Sequence, residues 1–523
     1  MSRNAAIPRR AAYRARWLID GRGGPALEGA TLVVEADRIA EIRPAGVPLD
    51  DLDLREFPDC ALLPGLIDGH VHLVWDGSRL DPEALRAAEG DLKGALRAAR
   101  HAWLSLRCGT TAVRDLGAPA GINLAVRDLV REGALPGPRI RAAGRLITMT
   151  GGHCHGIGRE ADGPEGVRLA AREQFKAGAD LLKMLATGGV YARDEEPGSP
   201  QLDLDELGAG VAEARKRGKP VAIHAEGLAG IAAAVEAGPD TIEHGNELTA
   251  ELADKMAERG IALCPTLSFF HTVATEGSEA GVPLEYVEKA RRMVEASFRA
   301  LRFARRAGVR IVAGTDSGAP LTPHSSIRRD LRLLVEGGYS PSEAIVAGTA
   351  CAAAALRWED EIGSLEPGKA ADFILVRGNP LERIEALDDL QFVVQAGAEI
   401  GLPASLGCHA SLIRRERPRA VAACLRRIGE SPDRAPRRSE QAALSGQRHR
   451  LGAVVGTQLV EYRGQVELDS ALGDRERPRD LLVRQTLGHQ TQHRALALGQ
   501  LAGRTPRRAH FGDQPGCDPR LQV

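Results

Sequence analysis

Between residues 64 and 360, eight short apolar runs alternate with alanine-rich amphipathic stretches. This alternation limits the chain to few folds. The runs are ALLPGLIDGHVHL, TTAVRDLG, RIRAAGRLIT, ADLLKMLATGG, PVAIHAEG, DTIEHGN, IALCPTLS and RIVAGTDSG. Helix-like stretches such as DLDELGAGVAEARKRG (203–218) and PLEYVEKARRMVEASFRALRFARRAG (283–308) separate them. Strand–helix alternation predicts an α/β protein with a parallel sheet and crossover helices. Eight repeats over this length predict closure into a (β/α)8 TIM barrel rather than an open sheet.

The flanks read differently. Residues 1–63 contain ARWLIDGRGG and GATLVVEADRIAEIRP, where TLVVE and RIAEI flank a hairpin-like turn at Ala36-Asp37. Residues 361–400 return to strands and turns in EPGKAADFILVRGNP and LQFVVQAGAEI. The two pieces are expected to pair as a small β-sandwich. From 401 to 523 the chain is rich in arginine, no lysine follows Lys369, and helical or strand periodicity lapses. That composition predicts an irregular, solvated tail, of the kind translation in another frame would give. The competing reading is a basic tail for an acidic partner.

Bulk composition excludes several function classes. A formal net charge of −1 on 523 residues gives no basic field for nucleic acid or a membrane surface. No run of about 18 apolar residues is present to span a bilayer. The eight cysteines are scattered without CxxC spacing, which suits reduced thiols better than a disulfide framework. The basic N-terminus has no apolar core of a secretory signal. A cytoplasmic enzyme is expected.

Active sites of parallel barrels form at the C-terminal ends of the strands. The polar residues there are His70 and His72, Lys183, His224, His244 and Asp316. In a strand, residues two apart point the same way, so His70 and His72 can reach one metal. Neutral imidazole suits zinc and its neighbours. Lys183, in DLLKML, is costly to bury as an ammonium; a depressed pKa leaves an amine able to react with CO2 to a carbamate. His224 and His244, on consecutive runs, supply imidazoles for a second ion. Asp316 can bind the first ion and accept a proton.

PGLIDGHVH (64–72), LLKMLATGG (181–189), AIHAEG (222–227), TIEHGN (241–246), AGTDSG (313–318) and EPGKAADFILV (366–376) occur in that order. The constellation resembles the two-metal branch of the amidohydrolase superfamily over about residues 12–398. TTAVRDLG, PGPRIRAAGRLITMTGGH and KMLATGGV narrow the resemblance to its prolidase-like group of Xaa-Pro or Xaa-basic dipeptidases, which is also similar to amidases of N-acyl amino acids. The resemblance implies His70, His72 and Asp316 on one metal, His224 and His244 on the other, and carboxylated Lys183 bridging two divalent ions, zinc by default.

It also implies that His153, in MTGGHCHGIG, lies by the substrate. Glu226 stands where some peptidase relatives carry a substrate-holding tyrosine, so it would repel a carboxylate and attract a cation. Tyr191 and Arg193 are expected either to shape the pocket or to be solvated loop residues. The implied reaction is hydrolysis of a peptide or amide C–N bond in a dipeptide or N-acyl amino acid, with Asp316 moving the proton. The expected partners are a small-molecule or dipeptide substrate and further copies of the chain in a homo-oligomer. Three alternatives stand beside it. One is a one-metal deaminase or cyclic-imine hydrolase of the same superfamily, favoured by HAE at 224–226 but opposed by Lys183. The others are a non-catalytic barrel and a cysteine hydrolase built on Cys154.

Overall fold

The computed structural model describes residues 10–48, 52–78, 81–191 and 195–402. The tail expected at 401–523 falls outside the described residues from position 403 onward.

The N-terminal flank forms β1 (Arg10–Leu18), β2 (Leu27–Glu28), β3 (Thr31–Glu35), β4 (Arg38–Arg43) and β5 (Asp53–Pro64). β3 and β4 make the expected antiparallel hairpin, with Glu35 opposite Arg38 and Ala36 turning at a φ of 54°.

Next come β6 (Leu66–Val71), α1 (Pro82–Arg107), β7 (Thr110–Asp115), α2 (Ile122–Arg131) and β8 (Arg139–Ala142), whose strands form a parallel sheet in the order β6-β7-β8. β9 (Ile147–Thr148), β10 (Arg159–Glu160), α3 (Gly163–Lys176), β11 (Leu182–Leu185), α4 (Leu204–Arg215), β12 (Val221–Ala225), α5 (Leu228–Ala237), β13 (Thr241–His244), α6 (Ala250–Arg259) and β14 (Ala262–Cys264) follow. Their strands form a second parallel sheet, β10-β9-β11-β12-β13-β14. The helices start and stop where the sequence provides caps. Asp203 and Glu206 close a reciprocal capping box at α4, and Gly308 ends α8 (Leu284–Ala307) in the left-handed region.

Three expected strands differ in detail. ALLPGLIDGHVHL is divided at Gly65, so its first half belongs to the flanking sheet and its second to the parallel one. A Cβ at Gly65 would lie 2.2 Å from Thr111 Oγ1, so only glycine lets the chain pass between the sheets. RIRAAGRLIT splits into β8 and β9. In IALCPTLS, Leu267 and Ser268 already open α7 (Leu267–Ala280).

The eighth run is not a regular strand. It makes isolated parallel bridges, Leu263 with Ile311 and Val71 with Ser317. Its backbone is nevertheless bonded on both sides. Val312 N donates to Leu263 O at 2.9 Å, while Gly69 N donates to Ala313 O at 2.9 Å and His72 N to Ser317 O at 2.8 Å. The run therefore ties β14 to β6. Across the other gap, Asp180 N donates to Ala142 O at 2.9 Å. After it come α9 (Ile327–Glu336), α10 (Pro341–Ala347) and α11 (Ala350–Ala355).

The C-terminal flank adds β15 (Phe373–Arg377), β16 (Leu390–Gln395) and β17 (Ala398–Ile400). β15 pairs antiparallel with β5, and both flanks join in one eight-stranded sheet. Alternation along these strands explains their nearly unbroken apolar sequence. Leu62, Phe373 and Leu375 pack into a core confined to the flanks, where Tyr13 meets Phe373 edge-on at 5.0 Å. Leu63, Ile374 and Val376 point the other way into the main core.

Candidate active site

The parallel strands deliver polar side chains to one buried cleft, lined by His70, His72, His153, Lys183, Tyr191, His224, Glu226, His244 and Asp316 together with Leu146, Cys154, Leu185 and Phe269. In β11 the period of two is clear: Lys183 and Leu185 face the cleft, Leu182 and Met184 the core. Nine of the ten site residues expected from sequence thus meet in one place. The tenth, Arg193, lies outside the described residues. Tyr191 is buried, which corrects the alternative of a solvated loop side chain.

Each histidine is oriented by a partner on one nitrogen. His70 Nδ1 donates to Glu243 Oε2 at 2.9 Å, His72 Nδ1 to the Gly117 carbonyl at 2.9 Å, and His224 Nε2 to the Gly188 carbonyl at 2.9 Å. His244 Nδ1 pairs with Thr266 Oγ1 at 2.7 Å. The second nitrogen of each ring is left to ligate, the arrangement that fixes histidine in metal sites. Burial holds all four imidazoles far below their usual pKa, His72 at about 3, and the nearby Lys183 amine adds to the effect. The neutral form that burial favours is the one that ligates a metal.

Two groups of donors result. His70 Nε2 and His72 Nε2 lie 3.6 and 3.7 Å from Asp316 Oδ1. Two ligands ~2.1 Å from one tetrahedral ion stand about 3.4 Å apart, so this spacing suits a shared cation. The second group is His224, Glu226 and His244, whose ligand-type atoms lie within 4.8 Å of one another. Its member Glu226 was expected to touch substrate, and here its carboxylate sits among ligand-type atoms. A third group, His70, Glu243 and Cys264, shares His70 and uses a carboxylate already committed to Arg114.

Three buried polar atoms in the cleft have no hydrogen-bond partner: Lys183 Nζ, Asp316 Oδ1 and Glu226 Oε2. Leaving such groups unpaired is costly. A cation between carboxylates, imidazoles and a modified lysine would satisfy them together, so the donor set fits a metal centre. Burial lowers the Lys183 pKa, the state in which the amine is a nucleophile. Burial also raises the Asp316 carboxyl to about 7.

A charged network behind the ligands was not anticipated. Arg114, buried in β7, donates to Glu243 Oε1 at 2.8 Å, Thr241 Oγ1 at 2.9 Å and Gly69 O at 2.6 Å. Asp68 accepts from Thr315 N at 3.0 Å and Thr315 Oγ1 at 2.7 Å, fixing the run that carries Asp316. The signal was available: an arginine in TTAVRD and a glutamate in TIEH are charges inside apolar strands, and each requires a buried partner.

His153 lies across the cleft, its ring 5.0 Å from those of His224 and Tyr191. Its Nδ1 is 3.7 Å from Glu195 Oε2. A Cβ at Gly189 would fall 2.3 Å from the His153 ring, so the glycine after Gly188 makes room for it. Cys154 Sγ pairs with Tyr191 OH at 3.4 Å, and burial pushes its thiol well up. His155 instead bonds Gly152 O at 3.1 Å and is largely exposed. A thiol held protonated with no imidazole bonded to it is no cysteine nucleophile.

The sequence of residues 61–400 matches the model of the amidohydrolase family. The chain belongs to this family. An ochratoxinase of Aspergillus niger is 31% identical over 403 residues, covering 71% of this chain and 82% of the relative. A crystal structure of a Xaa-Pro dipeptidase with methionine bound in its active site is similar over 75% of this chain and 99% of its own, with 32% identity and a TM-score of 0.68. A prolidase complexed with N-methylphosphonate-L-proline covers 75% and 100%, with 29% identity and a TM-score of 0.69. Within the family, this amidohydrolase groups with prolidase-like members. No helix among its described residues is long and apolar enough to cross a membrane.

Proposed function

We propose that this amidohydrolase is a two-metal hydrolase of a peptide or linear amide C–N bond, in a dipeptide or an N-acyl amino acid, on a closed (β/α)8 barrel flanked by a β-sandwich. The observation that carries this reading is the pair of donor groups, His70–His72–Asp316 and His224–Glu226–His244, in one cleft with the unpartnered Lys183 amine. The ochratoxinase and prolidase relatives support the class of bond.

In this reading His70, His72 and Asp316 would hold one divalent ion and His224 and His244 the other, and Lys183, once its amine has added CO2 to form a carbamate, would supply further oxygen donors. Zinc is the ion the ligand types favour. Such a pair of cations supplies charge that polarises a carbonyl and brings the pKa of water to about 7. Asp316 takes the proton released when water adds and delivers it to the leaving amine. His153, opposite the donors, steadies the developing oxyanion or a substrate carboxylate. Tyr191 and Phe269, in edge-to-face contact at 5.9 Å, wall the pocket and exclude water.

The test is a metal-supplemented screen of dipeptides and N-acyl amino acids, run with a His70→Ala variant and a metal assay. Hydrolysis that is lost together with bound metal in the variant is expected. Unchanged metal content and activity would overturn the reading. The position of Glu226 beside His224 favours one alternative, a one-metal deaminase or cyclic-imine hydrolase. Deamination of a heterocycle with no amide hydrolysis, and one metal per chain, would select it.

A further inference from the structure

A second cavity lies at the opposite ends of the strands. Its volume is about 540 Å3, and Thr241 and Ala262, the first residues of β13 and β14, are in its wall. β13 ends at His244 in the candidate active site, so the two cavities sit at opposite ends of one strand.

Five cations surround this second cavity: Arg215, Lys219, Arg259, Arg310 and Arg357. Two lining carboxylates, Asp240 and Glu359, face them. Asp240 is already engaged, accepting from Val221 N at 2.8 Å and from Arg357 Nη2 at 2.6 Å. Arg259 has a third acid outside the lining, Glu236, at 2.7 Å. Five cations against three carboxylates leave two positive charges in excess. Glycines and alanines form the surface between them, so the floor offers room rather than counter-charge.

The arginines are also held in place. Arg215 Nη2 donates to Gly238 O at 3.0 Å, Arg310 Nη2 to Gly260 O at 2.9 Å and Arg259 Nη1 to Val235 O at 2.8 Å. Each of these carbonyls fixes a guanidinium while leaving further N–H donors available. The Lys219 ammonium makes no hydrogen bond or ion pair among the described residues. Arg215, Lys219 and Arg310 thus carry no ion pair among the described residues, and the two arginines are oriented by carbonyls.

We propose that this cavity binds a phosphorylated small molecule at a site remote from the candidate active site. Planar guanidinium forks match phosphate oxygens two at a time, and a lysine adds a point charge. The excess of two charges suits a phosphate dianion. The volume falls in the range of about 300–1,000 Å3 typical of small-molecule sites.

Calorimetric titration of the metal-loaded full chain with fructose 6-phosphate tests this, at fixed ionic strength and with fructose and succinate as controls. Saturable binding at one site per chain is expected, absent with fructose and much weaker with succinate. A Lys219→Ala/Arg310→Ala double variant should bind about tenfold or more weakly, because two charge-assisted contacts are lost. An Asp316→Asn variant should bind as the wild type does. No saturable heat, equal affinity in the double variant, equal affinity for succinate, or loss of binding in Asp316→Asn would each overturn the proposal. Should the double variant melt early, Lys219→Glu alone at this partly exposed position is read by the same criteria.

Discussion

Glu243→Gln tests whether the buried network behind the ligands sets both stability and metal affinity. Glu243 is fully buried and receives Arg114 Nη2 at 2.8 Å on one oxygen and His70 Nδ1 at 2.9 Å on the other. The amide is nearly isosteric, so packing is unchanged. It removes the only carboxylate bonded to Arg114 among the described residues, and Arg114 is 1% exposed. Leaving a buried charge without its partner costs about 3–5 kcal/mol. Gln keeps one acceptor oxygen where the carboxylate has two, and its NH2 group faces the other donor, so either His70 or Arg114 loses its acceptor. Loss of such a partner to a ligating histidine typically weakens metal binding 10- to 100-fold.

Denaturant unfolding of the chelated protein and competitive metal titration measure the two effects separately. A further variant, Arg114→Met combined with Glu243→Leu, removes both charges. It should recover most of the lost stability, since replacing a buried ion pair with apolar groups is often neutral, but not the metal affinity. A stability loss for Glu243→Gln under about 1 kcal/mol, with metal affinity within twofold of wild type, would refute this account of the network.

Asp316→Asn should lower kcat by about 10²- to 10⁴-fold if its carboxyl moves the proton; steady-state kinetics on the best amide from the screen reads it. Lys183→Met should abolish activity yet leave the chelated protein at least as stable in denaturant, because the buried amine it removes has no hydrogen-bond partner. Burial raises the Asp330 carboxyl from 3.8 to about 7. A raised folded pKa gives stability that is full below the unfolded pKa and lost as pH rises through the folded one. The chelated protein should therefore lose on the order of 4 kcal/mol between pH 4 and pH 7 through this group, and Asp330→Asn should flatten that slope in pH-dependent unfolding. Gly65→Ala should cost about 1–3 kcal/mol by thermal unfolding, since its methyl would collide with Thr111.

The parallel strands were legible because strands buried on both faces read as unbroken apolar runs. The ligand positions were legible because a histidine or aspartate ending such a run violates the pattern of a packed core. α4 and α8 matched the expected spans to within three residues at each end, since both carry their own caps. The division at Gly65 was hidden, because ALLPGLIDG is equally apolar in two sheets that bury it differently. Glu243 and Arg114 were hidden for another reason. Each reads as a charge inside an apolar strand that needs a partner, but only the fold, which brings β7 across from β13, shows that they are each other's. The place of Glu226 beside His224 also depends on where the backbone turns after β12.

Backbone turning is also why the site could not be read from periodicity alone. Thr241 and Glu243 face inward to Arg114, and Ile242 faces the main core. Strict alternation would send His244 with Ile242, away from the cleft. Instead His244 adopts a φ of 72°, and its ring joins those of His70 and His224. Cys154, Thr266 and Asp316 share this left-handed conformation, at φ of 56°, 45° and 57°. A β-branched threonine there is especially unfavourable, yet its hydroxyl is the partner of His244 Nδ1. Each such residue stores about 1–3 kcal/mol and persists only where its surroundings fix it. Those surroundings are visible at two of them: Asp316 N donates to His70 O at 2.9 Å and Gly245 N to Ala225 O at 3.0 Å, so a neighbouring strand holds the turns at Asp316 and His244. The apolar runs therefore supply a frame stable enough to hold strained turns at its rim, and those turns aim the donors at one another.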